Sequence, residues 1–504
     1  MSLSAVGKTP TEIWASILSL LLRTPLLPRD DVTIAESLAV FSNGCDADRL
    51  YRDLCRISVS LRLVCSSWDR LVQRIHPTVV IANLNTNYVE ELPAHVLPAL
   101  SMEGKSRPEL LKAQRLAIWT PFECSCGQEC RSGLPSHTAD PLRRMKKPTG
   151  LLNPFDPAQD LSRLEVFIFG SYGGLKSPVP LLDRAPNLRV LSWAVEWRDA
   201  YFEPPIHHRV HNNLTHLKIS LRWDHIYSLK SPIPFHNLRF LHLSISDRIS
   251  GEEYVATLRK PNDLGLENWA EFPILQRLHL SLCVDELQQR KDDLVAFLTA
   301  VGTNLSSLIY NVSYDRSIWF EPEFWDLFPS LVEFGLYDHL ILTRWELSPP
   351  PKTMKPLNLI YQFSDYAHPS VDETPDNTVL DQFISLCKRW RTEKMTILQP
   401  WRDAEIMMAE PIDDRSEYEI GTHVEFYERL VALGVVISDR DGVSIREPAG
   451  QRFLEALKEY EPKRLAEEQR RRESWEYLMA ECGDEEGDEN GEDEDELVRI
   501  FMGD

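Results

Sequence analysis

The sequence predicts an α/β protein: a small N-terminal helical unit, a long array of short strands, and a helical C-terminal segment. Three observations predict it. Two apolar helical stretches lie within the first eighty residues, a seven-residue apolar line recurs through the middle, and helical periodicity takes over after residue 400. At 504 residues the chain also exceeds what one ordinary core holds, so more than one unit is expected.

The first helical stretch is "TPTEIWASILSLLLR", residues 9 to 23. Thr9 can cap it, Pro10 suits its first turn, and Glu12 suits its positive end. Glu12, Ser16, Ser19 and Arg23 make one narrow polar stripe, and Ile13, Trp14, Ile17, Leu18, Leu20, Leu21 and Leu22 fill the rest. A helix lying on one core needs an apolar arc of a little over ~100°. This one has more, so it is either wholly internal or meets its own core on one side and a partner on the other. The second stretch, "SLRLVCSSWDRLVQRI", residues 60 to 75, places Leu61, Val64, Trp68, Leu71 and Ile75 on one helical stripe, with Arg62, Ser66, Asp69, Arg70 and Gln73 opposite. Two such helices cannot enclose a sizeable core by themselves. Between them, Pro25, Pro28, Asn43 and Gly44 mark an inserted loop, with a short helix expected near Ile34 to Phe41 and a further one near Arg49 to Ile57.

The strand array rests on a repeat. "LEVFIFG" from Leu164, "LRVLSWA" from Leu188, "LTHLKIS" from Leu214, "LRFLHLS" from Leu238, "LQRLHLS" from Leu275, "LSSLIYN" from Leu305 and "LVEFGLY" from Leu331 share one pattern: leucine, two variable residues, a large apolar residue, one variable, a large apolar residue. Successive starts are 24, 26, 24, 37, 30 and 26 residues apart. Four of these six spacings fall within the ~20–29-residue period of leucine-rich repeats, and the longer two leave room for insertions. "APN", "FHN", "FPI" and "FPS" precede four of the lines and suit a turn into each strand. Weaker lines start at Ala113, Met354 and Thr392. The expectation is an irregular leucine-rich-repeat solenoid over residues 78–400, with the leucines inside and the variable positions facing out. The expected helical segment at 401–482 contains "EFYERLVALGVVISDRDGVSI", read as helix, strand, turn and strand, and then a long helix interrupted near Pro462.

The N-terminal residues resemble the F-box. The resemblance is carried by Thr9-Pro10-Thr11-Glu12-Ile13-Trp14, Ile17-Leu18 and, more specifically, by "RLVCSSWDRLV", where Leu63-Val64-Cys65 is followed by Trp68. It covers residues 9 to 76 of an expected unit at 1–77. The pattern departs from the family in having Thr9 where a leucine is usual and in its longer insertion. The resemblance implies a three-helix unit that docks on a Skp-type adaptor and, through it, a cullin. Pro10, Ile13, Trp14, Ile17, Leu18, Leu21, Leu63, Val64, Cys65, Trp68 and Leu71 would face the adaptor. The irregular repeats are similar to those of fungal-type F-box proteins, so the chain is expected to be a non-catalytic substrate-recognition subunit of a ubiquitin ligase. The alternative is a repeat scaffold whose N-terminal helices only cap the array.

For the substrate, the expected outward positions of three neighbouring lines give His216 and Lys218, Phe240 and His242, Arg277 and His279, followed by Ser220, Ser244 and Ser281. A basic ladder on a chain of net charge −22 is a candidate site for an acidic or phosphorylated peptide. The same net charge argues against nucleic acid. Ten acidic residues lie in "DEEGDENGEDEDE", residues 484 to 496, and the tail 483–504 is expected to be disordered. No apolar run suggests a membrane span, and "MSLSAVGKTPTEIW" lacks the features of a secretory signal, so a cytoplasmic or nuclear location is expected. Nine cysteines do not form a disulfide scaffold, and the sequons at Asn213, Asn304 and Asn311 then carry no glycosylation meaning. Cys124, Cys126 and Cys130, with one residue between the first pair and His137 as the only close fourth ligand, suit a surface loop between repeats better than a zinc site, and His207, His208 and His211 lie in a proline-rich insertion with His216 on a strand. Catalytic and nucleotide-binding motifs are absent from the sequence, so neither metal nor cofactor is expected.

Overall fold

The computed structural model describes residues 11–22, 26–28, 33–41, 44–75, 79–83, 114–119, 161–171, 182–195, 209–222, 226, 231–246, 265–283, 287–313, 322–336, 348–361, 377–409 and 424–483. Pro10, the cysteine cluster at 124–130, His137, His207, His208 and the acidic tail lie outside the described residues.

The N-terminal unit contains α1 (Thr11–Leu21), α2 (Ile34–Ala39), α3 (Gly44–Arg62) and α4 (Ser66–Ile75). The short helix α2 begins on a capping box. Thr33 Oγ1 accepts from the Glu36 backbone N–H at 3.2 Å, and the Glu36 carboxylate accepts from the Thr33 N–H at 2.9 Å. The stretch 60–75, expected as one helix, is broken at Leu63–Cys65. The Val64 N–H turns back to the Leu61 carbonyl at 3.2 Å, and the Cys65 carbonyl then accepts from Asp69 N–H at 3.0 Å to open α4. Arg62 Nε donates to Asp69 Oδ1 at 2.6 Å across the break.

The repeat lines, strong and weak, all become strands. With four further strands they make, in chain order, β1 (Val79–Asn83), β2 (Arg115–Trp119), β3 (Val166–Ser171), β4 (Val190–Val195), β5 (His216–Arg222), β6 (Ile233–Pro234), β7 (Phe240–Ser246), β8 (Ala270–Glu271), β9 (Arg277–Cys283), β10 (Ser307–Ser313), β11 (Glu333–Leu336), β12 (Asn358–Tyr361), β13 (Lys394–Ile397) and β14 (Val436–Ser438). Twelve of them form one parallel sheet, ordered as they occur in the chain, and β6 and β8 pair separately. Parallel neighbours require a return crossing between each pair. The returns include α5 (Leu287–Gly302), α6 (Asn377–Arg389), α7 (Trp401–Ala409) and α8 (Val424–Ala432), and α9 (Pro448–Gly483) follows β14.

Register explains the repeat. The leucine and the two later apolar residues of each line point to one face: Leu188, Leu191 and Trp193, then Leu238, Leu241 and Leu243, then Leu275, Leu278 and Leu280 are all at most 3 % exposed. They share one core with Leu294, Phe297 and Leu298 of α5, Phe383 of α6, Phe426 of α8 and Phe453 of α9. Burial of each such side chain contributes about 1.5–3 kcal/mol. The segment after residue 400 is therefore not a separate helical unit, because it supplies β14 to the sheet and α8 and α9 to the core. Nor does Pro462 interrupt α9. Pro462 and Lys458 are both exposed, so the carbonyl that loses its helical partner faces water.

The other face of the sheet is covered as well. Ala117, Val166, Ile168, Val190, Phe240, Ile309 and Ile360 form a second core with Leu18, Leu22, Leu26, Ile34, Val40, Phe41, Leu54 and Val72 of the N-terminal unit. The sheet curves around that unit. Leu26 and Val40 reach β2, where their carbonyls accept from Arg115 Nη1 at 3.0 and 2.6 Å. Ile34 reaches β11, its N–H lying 3.5 Å from the Glu333 carboxylate. Flat, β2 and β11 would stand seven strand spacings apart, roughly 34 Å at ~4.8 Å each. Ile34 and Val40 are separated by about 9 Å of helix at 1.5 Å per residue. Even two extended side chains do not close that difference, so β2 and β11 are brought together by curvature.

Candidate interaction surface

Two surfaces follow from the sequence reading, and the structure treats them in opposite ways. The first is the apolar face of the N-terminal helices. Leu18 of α1 and Leu22 just after it are 0 % and 4 % exposed and anchor the helix in the second core. Ile13, Ile17 and Leu21, one helical turn apart, remain 50 %, 37 % and 48 % exposed. Leu63 and Val64, lifted out by the break between α3 and α4, are 81 % and 52 % exposed. Ile57 and Val59 of α3 are also exposed. Trp14 of α1 packs against Trp68 of α4 with ring centroids 4.9 Å apart, and this contact joins the two helices. Cys65, Trp68 and Leu71 are half-buried. Of the residues expected to face a partner, Leu18 is thus corrected to an internal anchor, because helical spacing turns it toward the sheet. Val64 leaves the inner stripe of the second stretch, because the helix carrying that stripe does not continue through it.

Large apolar side chains left in water at Ile13, Ile17, Leu21, Leu63 and Val64 cost free energy. The break at Leu63–Cys65 was not legible in the periodicity, which runs unbroken through Val64.

The second surface is the ladder of basic and polar side chains on β5, β7 and β9. Register brings its members side by side as expected: His216 opposite Phe240 and Phe240 opposite Arg277, Lys218 opposite His242 and His242 opposite His279. They do not face solvent. His216 and Phe240 are 0 % exposed, Arg277 3 % and His279 2 %. The face expected to be outward is the one lined by the N-terminal unit, with Phe41 set against Phe240 at 5.7 Å between ring centroids. Lys218 and His242 are half-buried, as are Ser220, Ser244 and Ser281.

Burial reshapes the electrostatics of the ladder. The His242 and His279 rings stack at 3.8 Å between centroids. Desolvation, with the Lys218 charge beside it, lowers the His279 pKa to about 3. Desolvation lowers His216 to about 3 as well, helped by Arg277, Arg189 and Arg239. Burial pulls Arg115 down to about 9, so it stays cationic at neutral pH between its two carbonyl acceptors. The histidines are neutral parts of the interior.

Among the described residues, no group of three or more His, Cys, Asp or Glu side chains is placed to hold a metal ion, and no helix is long and apolar enough to cross a membrane. Comparison with protein-family models and with characterised proteins finds no match to this chain.

Proposed function

We propose that this chain is a substrate-recognition subunit of a Skp–cullin–F-box type ubiquitin ligase, its N-terminal helices binding a Skp-type adaptor and its strand array, of leucine-rich-repeat type, binding a protein substrate. The observation that carries the reading is the exposure of Ile13, Ile17, Leu21, Leu63 and Val64 on the unit whose sequence resembles the F-box. In this reading the other subunits carry out ubiquitin transfer. Strands of a parallel sheet in chain order, seven of them opened by a buried leucine, support the repeat assignment. The rival reading, a scaffold whose helices only cap the array, is favoured by the core they share with the sheet. A pure cap would bury its apolar residues there, and these five remain in water.

Co-expression with a Skp-type adaptor tests the proposal. The wild-type chain is expected to co-purify with it. Ile17→Asp combined with Leu21→Asp should abolish capture, since each buried side chain of this size contributes about 1.5–3 kcal/mol. The thermal unfolding midpoint should hold, because both positions are exposed. Undiminished capture by the folded double variant would refute the F-box assignment.

A further inference from the structure

The described residues between α1 and α3 have no place in a minimal three-helix docking unit, yet several of them are among the most deeply buried in the N-terminal region. Leu26 and Ile34 are 0 % exposed, Ser37 0 %, Ala35 and Val40 2 %, Ala39 3 % and Phe41 6 %. They lie inside the curve of the sheet. Arg115 on β2 clamps the carbonyls of Leu26 and Val40, the two ends of the segment, at 3.0 and 2.6 Å. Phe41 meets Phe240 of β7, Ile34 N–H approaches Glu333 of β11, and the apolar side chains join Ile309 of β10 and Ile360 of β12 in one core. The segment thus touches strands from one end of the array nearly to the other.

We propose that residues 26–28 and 33–41 form an internal strut that fills the hollow of the curved sheet. The strut closes the hollow to any second protein and fixes the orientation of the exposed N-terminal apolar surface relative to the array. The consequence for recognition is that a partner of the array binds outside the hollow: of the ladder, Lys218 and His242 and, two residues farther along the strands, Ser220, Ser244 and Ser281 are the members left partly exposed. Depth of burial separates a strut from a displaceable lid. Lifting the segment would expose seven buried side chains of its own together with Phe240, and would leave the Arg115 cation without its carbonyls. The inference concerns the fold of this chain alone. Its bearing on ligase geometry rests on the adaptor reading, but its test does not use the adaptor.

Hydrogen–deuterium exchange of the full chain makes the measurement. The Ser37 and Phe41 N–H groups, which donate to the Thr33 and Leu38 carbonyls, should exchange within about tenfold of the amides of β7. Exchange a hundredfold faster than β7 would mark a lid that opens by itself and overturn the strut. In Arg115→Met combined with Phe41→Ala, protection over 33–41 should fall at least thirtyfold while β7 and β9 change less than threefold. Unaltered protection over 33–41 in that variant would show that the clamp is not what holds the segment. Spin labels placed through noncanonical residues at exposed Ser60 and Ser330 add a readout independent of exchange. The wild-type chain should give one narrow distance distribution, and a broad or two-peaked one would defeat the fixed orientation. Failure of adaptor capture would leave each of these outcomes standing.

Discussion

Asn187, Asn213, Asn237 and Asn304 each precede a repeat leucine, and each side-chain amide donates to a backbone carbonyl in the preceding repeat: Ser162 at 2.6 Å, Pro186 at 2.8 Å, Asn212 at 2.7 Å and Pro273 at 3.3 Å. The result is a ladder of side-chain bonds that pins one turn of the array to the next. It also engages the side chains of two of the three sequon asparagines, Asn213 and Asn304. Each accepted carbonyl immediately precedes the residue one before a leucine, so the His236 carbonyl is the next acceptor in the series. The residue that would reach it is Ile274, which is 38 % exposed. Ile274→Asn should therefore extend the ladder and raise stability by about 0.5–1.5 kcal/mol, while Asn237→Ala should lower it by a similar amount. Urea unfolding measures both, and a destabilised Ile274→Asn would show that the ladder's geometry does not carry over to that interval. The asparagines of "APN" and "FHN" were legible as turn residues. Their bonds were not, because the acceptors lie 25 to 27 residues back.

At the scale of the element, strand β11 fits its place by having no side chain at Gly335. A Cβ there would stand 2.8 Å from Ile309 Cγ1 on β10 and 3.1 Å from Ile360 Cβ on β12. The close approach of three strands on the covered face leaves no volume for a methyl group, so Gly335→Ala should cost about 1–3 kcal/mol through overpacking. An unchanged urea midpoint would mean that the strands can part without loss. A different element, the break between α3 and α4, sets the exposure of Leu63 and Val64. Its brace includes Asp69, whose carboxyl the bonds from Arg62 and Gln73 hold below the ordinary value. The pair is partly exposed and contributes little to stability, so its effect is on direction: it sets how α4 leaves α3. Periodicity places apolar residues on a helix but does not record where one helix stops and a second, rotated one begins.

Across the whole molecule, burial of the basic ladder couples stability to pH. His216 and His279 have folded-state pKa values near 3, against the ordinary value of 6.5 in an unfolded chain. Between pH 6.5 and about 3 the unfolded chain binds protons that the folded chain refuses, so their contribution to stability falls as pH is lowered through that window. Each histidine adds up to about 1.4 kcal/mol per pH unit there. Stability measured by urea unfolding should accordingly drop more gently from pH 6.5 to 4.5 in His216→Leu than in the wild type. Parallel slopes for the two proteins would mean that His216 takes up its proton in the folded state.

By itself, the sequence determined the α/β class, the positions of the strands that carry the repeat lines and which residues of those lines enter the main core. These follow from a period of two within strands and a leucine at a recurring interval, both local properties of the chain. It also placed α2 near Ile34 and marked α1 as more apolar than one contact needs. Only the tertiary structure decided that the second face of the sheet is covered as well. The sequence could assign the positions of His216, Phe240, Arg277 and His279 to one side of their strands, but the side it called outward is lined by the N-terminal unit, including residues 26–28 and 33–41, which lie 175 or more positions earlier in the chain. Closure of the sheet around that segment depends on curvature summed over eight strands and on a guanidinium from β2 reaching two distant carbonyls. No window of sequence contains both partners of such a contact, and so the hollow could be recognised as occupied only in the folded molecule.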